Sequence, residues 1–131
     1  NLTLTHMSVI EREDMPALFN AFDIFVDFSS YQAMGLTALE CMACGVAVVV
    51  PCEGGAKEIV HDGVNGLIVD SSSLEASIRA LRSIIEDDNL RQAISRRAIV
   101  DACNYTVEQA AYNFLTALFG QEGTYTKQED T

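Results

Sequence analysis

Apolar positions along this chain switch between a period of two and a period near four, and the switches mark out its elements. Leu2 to Thr5 alternates apolar with β-branched polar residues and predicts a short strand. The acidic segment Glu11 to Asp14 ahead of Met15-Pro16 predicts a helix start, with Met15, Leu18, Phe19 and Phe22 at helical spacing. Asp23 to Phe28 predicts a buried strand, Ser29 to Met34 a loop, and Gly35 to about Ala43 a helix that stops at Gly45, a residue able to take the left-handed closing conformation. Val46 to Val50 is apolar throughout, the pattern of a strand covered on both faces.

Further along, Gly54-Gly55 leads a short predicted helix over Ala56 to Val60, and Asp62-Gly63 and Asn65-Gly66 are turn dipeptides before a strand over Gly66 to Val69. Three helices are predicted after it. Ser72-x-x-Glu75 reads as a capping box for a helix whose Leu74, Ile78, Leu81 and Ile85 share a face. Asn89 caps a second helix reaching about Ala102, and Thr106-x-x-Gln109 boxes a third, with Ala110, Phe114, Leu115 and Leu118 on one stripe. Beyond Gly120 the sequence is polar and predicted to fray. Apolar strands alternating with helices predict an α/β fold: a Rossmann-like parallel sheet flanked by helices, with right-handed crossovers, in one unit over residues 1–119 and a polar tail over 120–131.

Composition narrows the partners. With 131 residues, 49% of them hydrophobic, the chain can build one substantial core. Its mean hydropathy is +0.15. Its formal charge of -11 repels nucleic-acid backbones and anionic lipid surfaces. The longest purely apolar run, Val46 to Val50, is far short of the roughly 20 residues a membrane-crossing helix needs, so no transmembrane segment is expected. Cys41, Cys44, Cys52 and Cys103 lack the spacing of a secreted disulfide scaffold, and a cytoplasmic location is expected. The sequons at Asn1 and Asn104 would matter only in a secreted protein. The opening at Asn1, without Met and directly into a predicted strand, reads as a piece of a longer polypeptide.

In open α/β sheets ligands bind beyond the carboxyl ends of the strands, and here the strand ending at Phe28 feeds the loop that enters the helix at Gly35. The free N–H groups of Gly35, Leu36 and Thr37, with the positive end of the helix dipole, form a candidate phosphate site. Glu40, one turn on, is placed to accept two hydrogen bonds from a ribose diol. The same residues are equally compatible with a plain tight turn at Gly35 and a solvated helix position at Glu40.

The run from Ser29 through Gln32-Ala33-Met34-Gly35-Leu36-Thr37-Ala38-Leu39-Glu40 to Val49 resembles the signature of retaining GT-B-fold glycosyltransferases of the glycogen-synthase-like and sucrose-synthase-like group, glycosyl transferases group 1. That signature carries two glutamates separated by seven residues. The resemblance continues through Glu53-Gly54-Gly55-x-x-Glu58 and His61-Asp62-Gly63-Val64-Asn65-Gly66-Leu67-Ile68-Val69, and so spans roughly Val9 to Val69. It implies part of the C-terminal domain of such an enzyme. By this resemblance Gly35, Leu36 and Thr37 contact a diphosphate through backbone amides, Glu40 binds the donor ribose, Ala33 and Met34 line the transferred sugar, and the Gly54-Gly55 loop completes the donor site.

The resemblance also implies metal-independent transfer from a nucleoside-diphosphate sugar, without a cofactor, to a saccharide or lipid-linked acceptor held by an N-terminal domain, as in polysaccharide biosynthesis. Half a cleft cannot close around its substrates, so this stretch alone is expected not to turn over.

Three positions depart from the pattern. Gln32 stands where the family carries its first Glu, Ala33 replaces Gly and Met34 replaces Phe. All three fall in the sugar subsite and predict an altered donor-sugar preference, with lost activity, or a non-catalytic nucleotide-sugar or protein-binding module, as the rival. The resemblance implies retention by a front-face route, which needs no general base at position 32, so an amide there is compatible with transfer. Lys57 is the one well-placed cation for a diphosphate.

Other chemistries fit less well. No metal site is expected from His6, His61 or Asp87-Asp88, and Cys41-x-x-Cys44 lies within a predicted helix, where buried small side chains explain it better than a redox pair. A phosphoacceptor receiver would use Asp27 but lacks the acidic pair and the Lys-Pro that go with it, and a dinucleotide-binding Gly-x-Gly-x-x-Gly turn is absent.

Overall fold

The computed structural model describes residues 3–30 and 32–120. Its regular elements are α1 (Met15–Phe19), β1 (Ile24–Val26), α2 (Leu36–Ala43), β2 (Ala47–Pro51), β3 (Leu67–Val69), α3 (Leu74–Glu86), α4 (Asp88–Ala102) and α5 (Val107–Phe119), with single 3-10 turns at Arg12–Asp14 and Gly55–Glu58. The three strands form one parallel sheet in the order β1-β2-β3, with Ile24 opposite Ala47 and Val49 opposite Leu67.

β2 is central, and all five of its residues are buried, because helices cover both faces of the sheet there. On one face Val46, Val48 and Val50 pack with Phe19, Ala38, Cys41, Met42, Ala98 and Ala102, which joins α1, α2 and α4 into one core. On the other, Ala47 and Val49 meet Val69, Ile84 and Ile94, with Ala76, Ala80 and Leu81 packed around them. The alternation of side chains along a strand sends neighbouring valines to opposite cores.

Several boundaries differ from the expectation. Residues 3–10 carry no regular secondary structure, and Leu4 is 86% exposed, although Leu2 to Thr5 alternates as a strand would. Alternation makes a strand only where a neighbour offers a ladder, and among the described residues β1 pairs with β2 alone. Leu2 lies outside the described residues, as does the tail from 121. α1 ends at Phe19, which leaves Phe22 exposed beyond it. The short helix expected over Ala56 to Val60 is a 3-10 turn from Gly55.

The start of α3 shifts by one residue. Ser73, with extended backbone, is the cap and accepts from the Ala76 amide at 3.3 Å. The Ser72 hydroxyl is instead donated to the Asp70 carboxylate at 2.6 Å. The buried side of α3 is also rotated from the expected stripe. Ser77 and Ile84 are buried and Leu81 packs with Ile84 against β3 and α4, while Leu74, Ile78 and Ile85 are exposed.

α4 is capped by Asp87, whose carboxylate accepts from the Leu90 amide at 2.9 Å, so Asn89 falls inside the first turn instead of at the cap. Thr106 caps α5 as expected, accepting from the Gln109 amide at 3.1 Å, but Phe114, Leu115 and Leu118 are exposed. Gly45 has a φ of 76° after α2, the closing conformation expected of it.

Candidate functional site

The loop after β1 is organised by Asp27. Its amide donates to the Val49 carbonyl at 2.9 Å, the last ladder bond to β2. Its carboxylate accepts from the Ser29 amide at 2.8 Å and from the Gln32 side-chain Nε2. The loop then delivers the chain to Gly35, which precedes α2 with a φ of 71°.

That loop rests directly on the loop after β2. The Gly55 amide donates to the Gln32 carbonyl oxygen at 2.8 Å. A methyl group added at Gly55 would sit 2.2 Å from the Ala33 carbonyl oxygen, and one at Gly35 would sit 2.8 Å from Cβ of Ala56. Backbone meets backbone at this contact, which is why glycine is needed on both sides. The two stretches singled out from the sequence, Gln32 to Glu40 and Gly54-Gly55, therefore lie against each other.

At its centre α2 begins without a capping side chain. The Gly35 carbonyl takes the Leu39 amide at 3.1 Å, starting the helix, while Leu36 and Thr37 are exposed on its first turn. Uncapped amides at a helix start, reinforced by the helix dipole, are a ready acceptor for an anion. Glu40 is exposed one turn further along. Ala38, Cys41 and Met42 turn inward and anchor the helix to the core. Ala33 and Met34 are exposed, and Gln32 is half-buried beside Asp27.

The loop after β3 closes the same end of the sheet. The Ser71 hydroxyl donates to the Ser29 carbonyl at 3.1 Å, and the Cys52 amide donates to the Val69 carbonyl at 2.8 Å. A cavity of about 370 Å³ lies between the three loops, lined by Phe28, Ser30, Cys52, Glu53, Asp70, Ser71 and Ser72. None of the residues nominated from the sequence lines it. The available signal was position alone: Asp70-Ser71-Ser72 follows β3, as Ser29-Ser30 follows β1. The hydroxyl and amide of Ser72 hold the Asp70 carboxyl below the usual carboxylate range.

Cations are few at this end. Arg79, Arg82, Arg91 and Arg97 pair with acidic neighbours on α3 and α4, whereas Lys57 is exposed on the Gly55–Glu58 turn. Among the described residues no cluster of His, Cys, Asp and Glu is arranged to hold a metal ion. Burial, then the neighbouring Cys44 and Glu40, push the Cys41 thiol up to about 12, so it is protonated at neutral pH, as a packing residue is and a redox thiolate is not.

Residues 4–101 match the family described as Glycosyl transferases group 1. The chain belongs to this family. It is 34% identical over 103 residues to the D-inositol 3-phosphate glycosyltransferase of Salinispora arenicola, a match that covers 79% of this chain and 23% of that protein.

Two solved structures share its fold. Sucrose-phosphate synthase from Thermosynechococcus elongatus superposes with a TM-score of 0.78 at 25% identity, over 89% of this chain and 29% of that one. The HepE protein of Anabaena, in complex with UDP and glucose, superposes with a TM-score of 0.73 at 27% identity, over 84% and 30%. The parallel sheet flanked by helices is thus part of a GT-B glycosyltransferase fold, and the chain spans about a quarter of the curated relative's length. Among the described residues no helix is long and apolar enough to cross a membrane.

Proposed function

We propose that this chain holds the donor of a glycosyltransferase, a nucleoside-diphosphate sugar, at the start of α2. The observation that carries the reading is the uncapped first turn of α2, pressed against the Gly54-Gly55 loop, with Glu40 one turn away. In this reading the amides of Gly35, Leu36 and Thr37 take the diphosphate and Glu40 accepts both hydroxyls of the ribose. Ala33 and Met34 border the transferred sugar, Gln32 offers it an amide, and Lys57 adds the nearby positive charge. The complex of HepE with UDP and glucose supports a nucleotide sugar as the ligand class.

Transfer is proposed to be of a hexosyl group, retaining and independent of metal or cofactor, in the cytoplasm. The saccharide or lipid-linked acceptor is taken to bind mainly outside residues 1–119. The unit over those residues is the donor-binding half and does not turn over alone. The test is a titration of the full-length protein with UDP-, GDP-, ADP- and dTDP-sugars, with and without EDTA, beside Glu40→Ala. Binding of one nucleotide class, unaffected by EDTA and weakened about tenfold or more by Glu40→Ala, is expected. Binding of none, or an indifferent Glu40→Ala, defeats the reading. A non-catalytic donor-binding module is the second reading, favoured by the neutral amide at Gln32, and tight donor binding without transfer by the full-length protein would select it.

A further inference from the structure

The pairing of Asp27 with Gln32 is not explained by the fold. Asp27 already ends the β1 ladder through its backbone and steadies the loop through the Ser29 amide. Its second carboxylate oxygen is used on a side chain five residues away, the amide of Gln32. A carboxylate only accepts, so the Gln32 amide must turn its Nε2 toward Asp27. The planar amide then has its Oε1 on the opposite branch, and among the described residues nothing donates to it.

We infer that Asp27 is a positioning residue that locks Gln32 with its carbonyl as the free pole, so that position 32 offers the donor sugar a neutral acceptor for a hydroxyl. This rests on the donor-site reading above for the identity of the ligand, though the Asp27–Gln32 pairing itself does not.

The pairing has a chemical consequence. A carboxyl at position 32 would lie within hydrogen-bond range of Asp27, and two carboxylates so close cannot both be ionised without a large cost. The charged groups on the neighbouring segments are Glu53, Lys57 and Glu58 on the segment packed against this loop, Glu40 on α2, and Asp70 across the adjoining cavity. Four of these five are acidic, so the surroundings add to the penalty. Position 32 is therefore selective for an uncharged side chain for as long as Asp27 is present.

Gln32→Glu, Asp27→Asn and the double variant, made in the full-length protein, test this in two arms. Without ligand, thermal midpoints are compared at pH 5 and pH 8. Gln32→Glu is expected to lose stability between them relative to wild type, because the introduced carboxyl has a raised folded pKa and must ionise as pH rises; Asp27→Asn/Gln32→Glu is expected to abolish that extra loss. The same pH dependence in the single and double variants overturns the pairing.

With ligand, UDP-glucose and UDP are titrated separately. Asp27→Asn is expected to weaken UDP-glucose by about three- to tenfold, the worth of one oriented hydrogen bond, and UDP by less than about twofold. Equal weakening of both overturns the positioning role and makes Asp27 merely structural. Wild type that binds neither these nor the other nucleotide sugars overturns the donor-site reading and with it the role given to Gln32, while the pH arm still decides whether the two residues are coupled.

Discussion

The amide of Gly55 donates to the carbonyl oxygen of Gln32 at 2.8 Å, and this bond joins the loop after β1 to the loop after β2. Both loops are irregular, and neither could hold a fixed shape by its own ladder. Their shared backbone contact gives the start of α2 a rigid neighbour, which is what an anion site built of amides requires.

Gly55→Ala tests that contact. The added methyl would lie 2.2 Å from the Ala33 oxygen and 2.8 Å from Cα of Met34, both backbone atoms that move only with the loop. A loss of about 1–3 kcal/mol in denaturant unfolding is expected, together with weakened donor binding. Gly63→Ala is the control: its φ of 71° carries left-handed strain, but nothing lies within 4 Å of the new methyl. It should cost only about 1 kcal/mol and leave binding unchanged. If binding responds equally to both changes, the loop contact does not shape the site.

Asn65 fastens the turn before β3 to α4 and offers a second test. It is fully buried, accepts from the His61 amide at 2.6 Å, and donates to the Ile59 carbonyl at 3.2 Å and to Asp101 at 2.9 Å. Asn65→Ala leaves the buried Ile59 carbonyl without its side-chain donor, and a loss of about 2 kcal/mol is expected. The Arg97 guanidinium, with Asn65 adding to it against an opposing effect of burial, holds the Asp101 carboxyl below its ordinary 3.8. A depressed folded pKa means that this stabilisation is complete above that value and disappears as pH falls through the lower one. Asp101→Asn should therefore flatten the acid limb of the stability curve below about pH 4, read from urea midpoints between pH 2 and pH 6. An unchanged acid limb would show that Asp101 has the same pKa folded and unfolded.

Thiol chemistry gives a third. Cys103 is exposed and Cys41 buried, with its thiol pushed up to about 12. In the native protein at pH 8 an aromatic disulfide reagent should label Cys103 rapidly and Cys41 only after denaturation, as site-resolved mass spectrometry would show. Because folding favours the protonated thiol, the contribution of Cys41 is intact below its ordinary 9.0 and declines as pH rises beyond it. Rapid native labelling of Cys41 would remove the assignment of Cys41 and Cys44 as packing residues.

Legibility from the sequence followed how local each determinant was. Val46 to Val50 could be read as a doubly covered strand because its burial follows from an apolar run that no exposed strand tolerates. Gly35 and Gly45 could be read as helix ends because their conformations are demanded within a few residues. The stripe on α3 misled for the opposite reason. Leu74, Ile78 and Ile85 share a helical face as well as Ser77, Leu81 and Ile84 do, and only β3 and α4 decide which face is covered. The same applies to Leu2 to Thr5, where the alternation is present but no described strand pairs with it. The capping box at Ser72 lost to a competitor two residues upstream, the Asp70 carboxylate.

By itself, then, the sequence determined the α/β order, the central strand, the helix that starts at Gly35 and the kinship of Ser29 to Glu40 with group 1 glycosyltransferases. These depend on residue type and spacing along a few turns of chain. Only the tertiary structure decided that Gly54-Gly55 lies against Gln32 to Gly35, that Ser30, Glu53, Asp70 and Ser71 surround a cavity beside them, and that Asp27 grips Gln32. Those are contacts between loops carried by different strands. Their spacing in sequence has no period to read, because it is the parallel pairing of β1, β2 and β3 that brings their ends together.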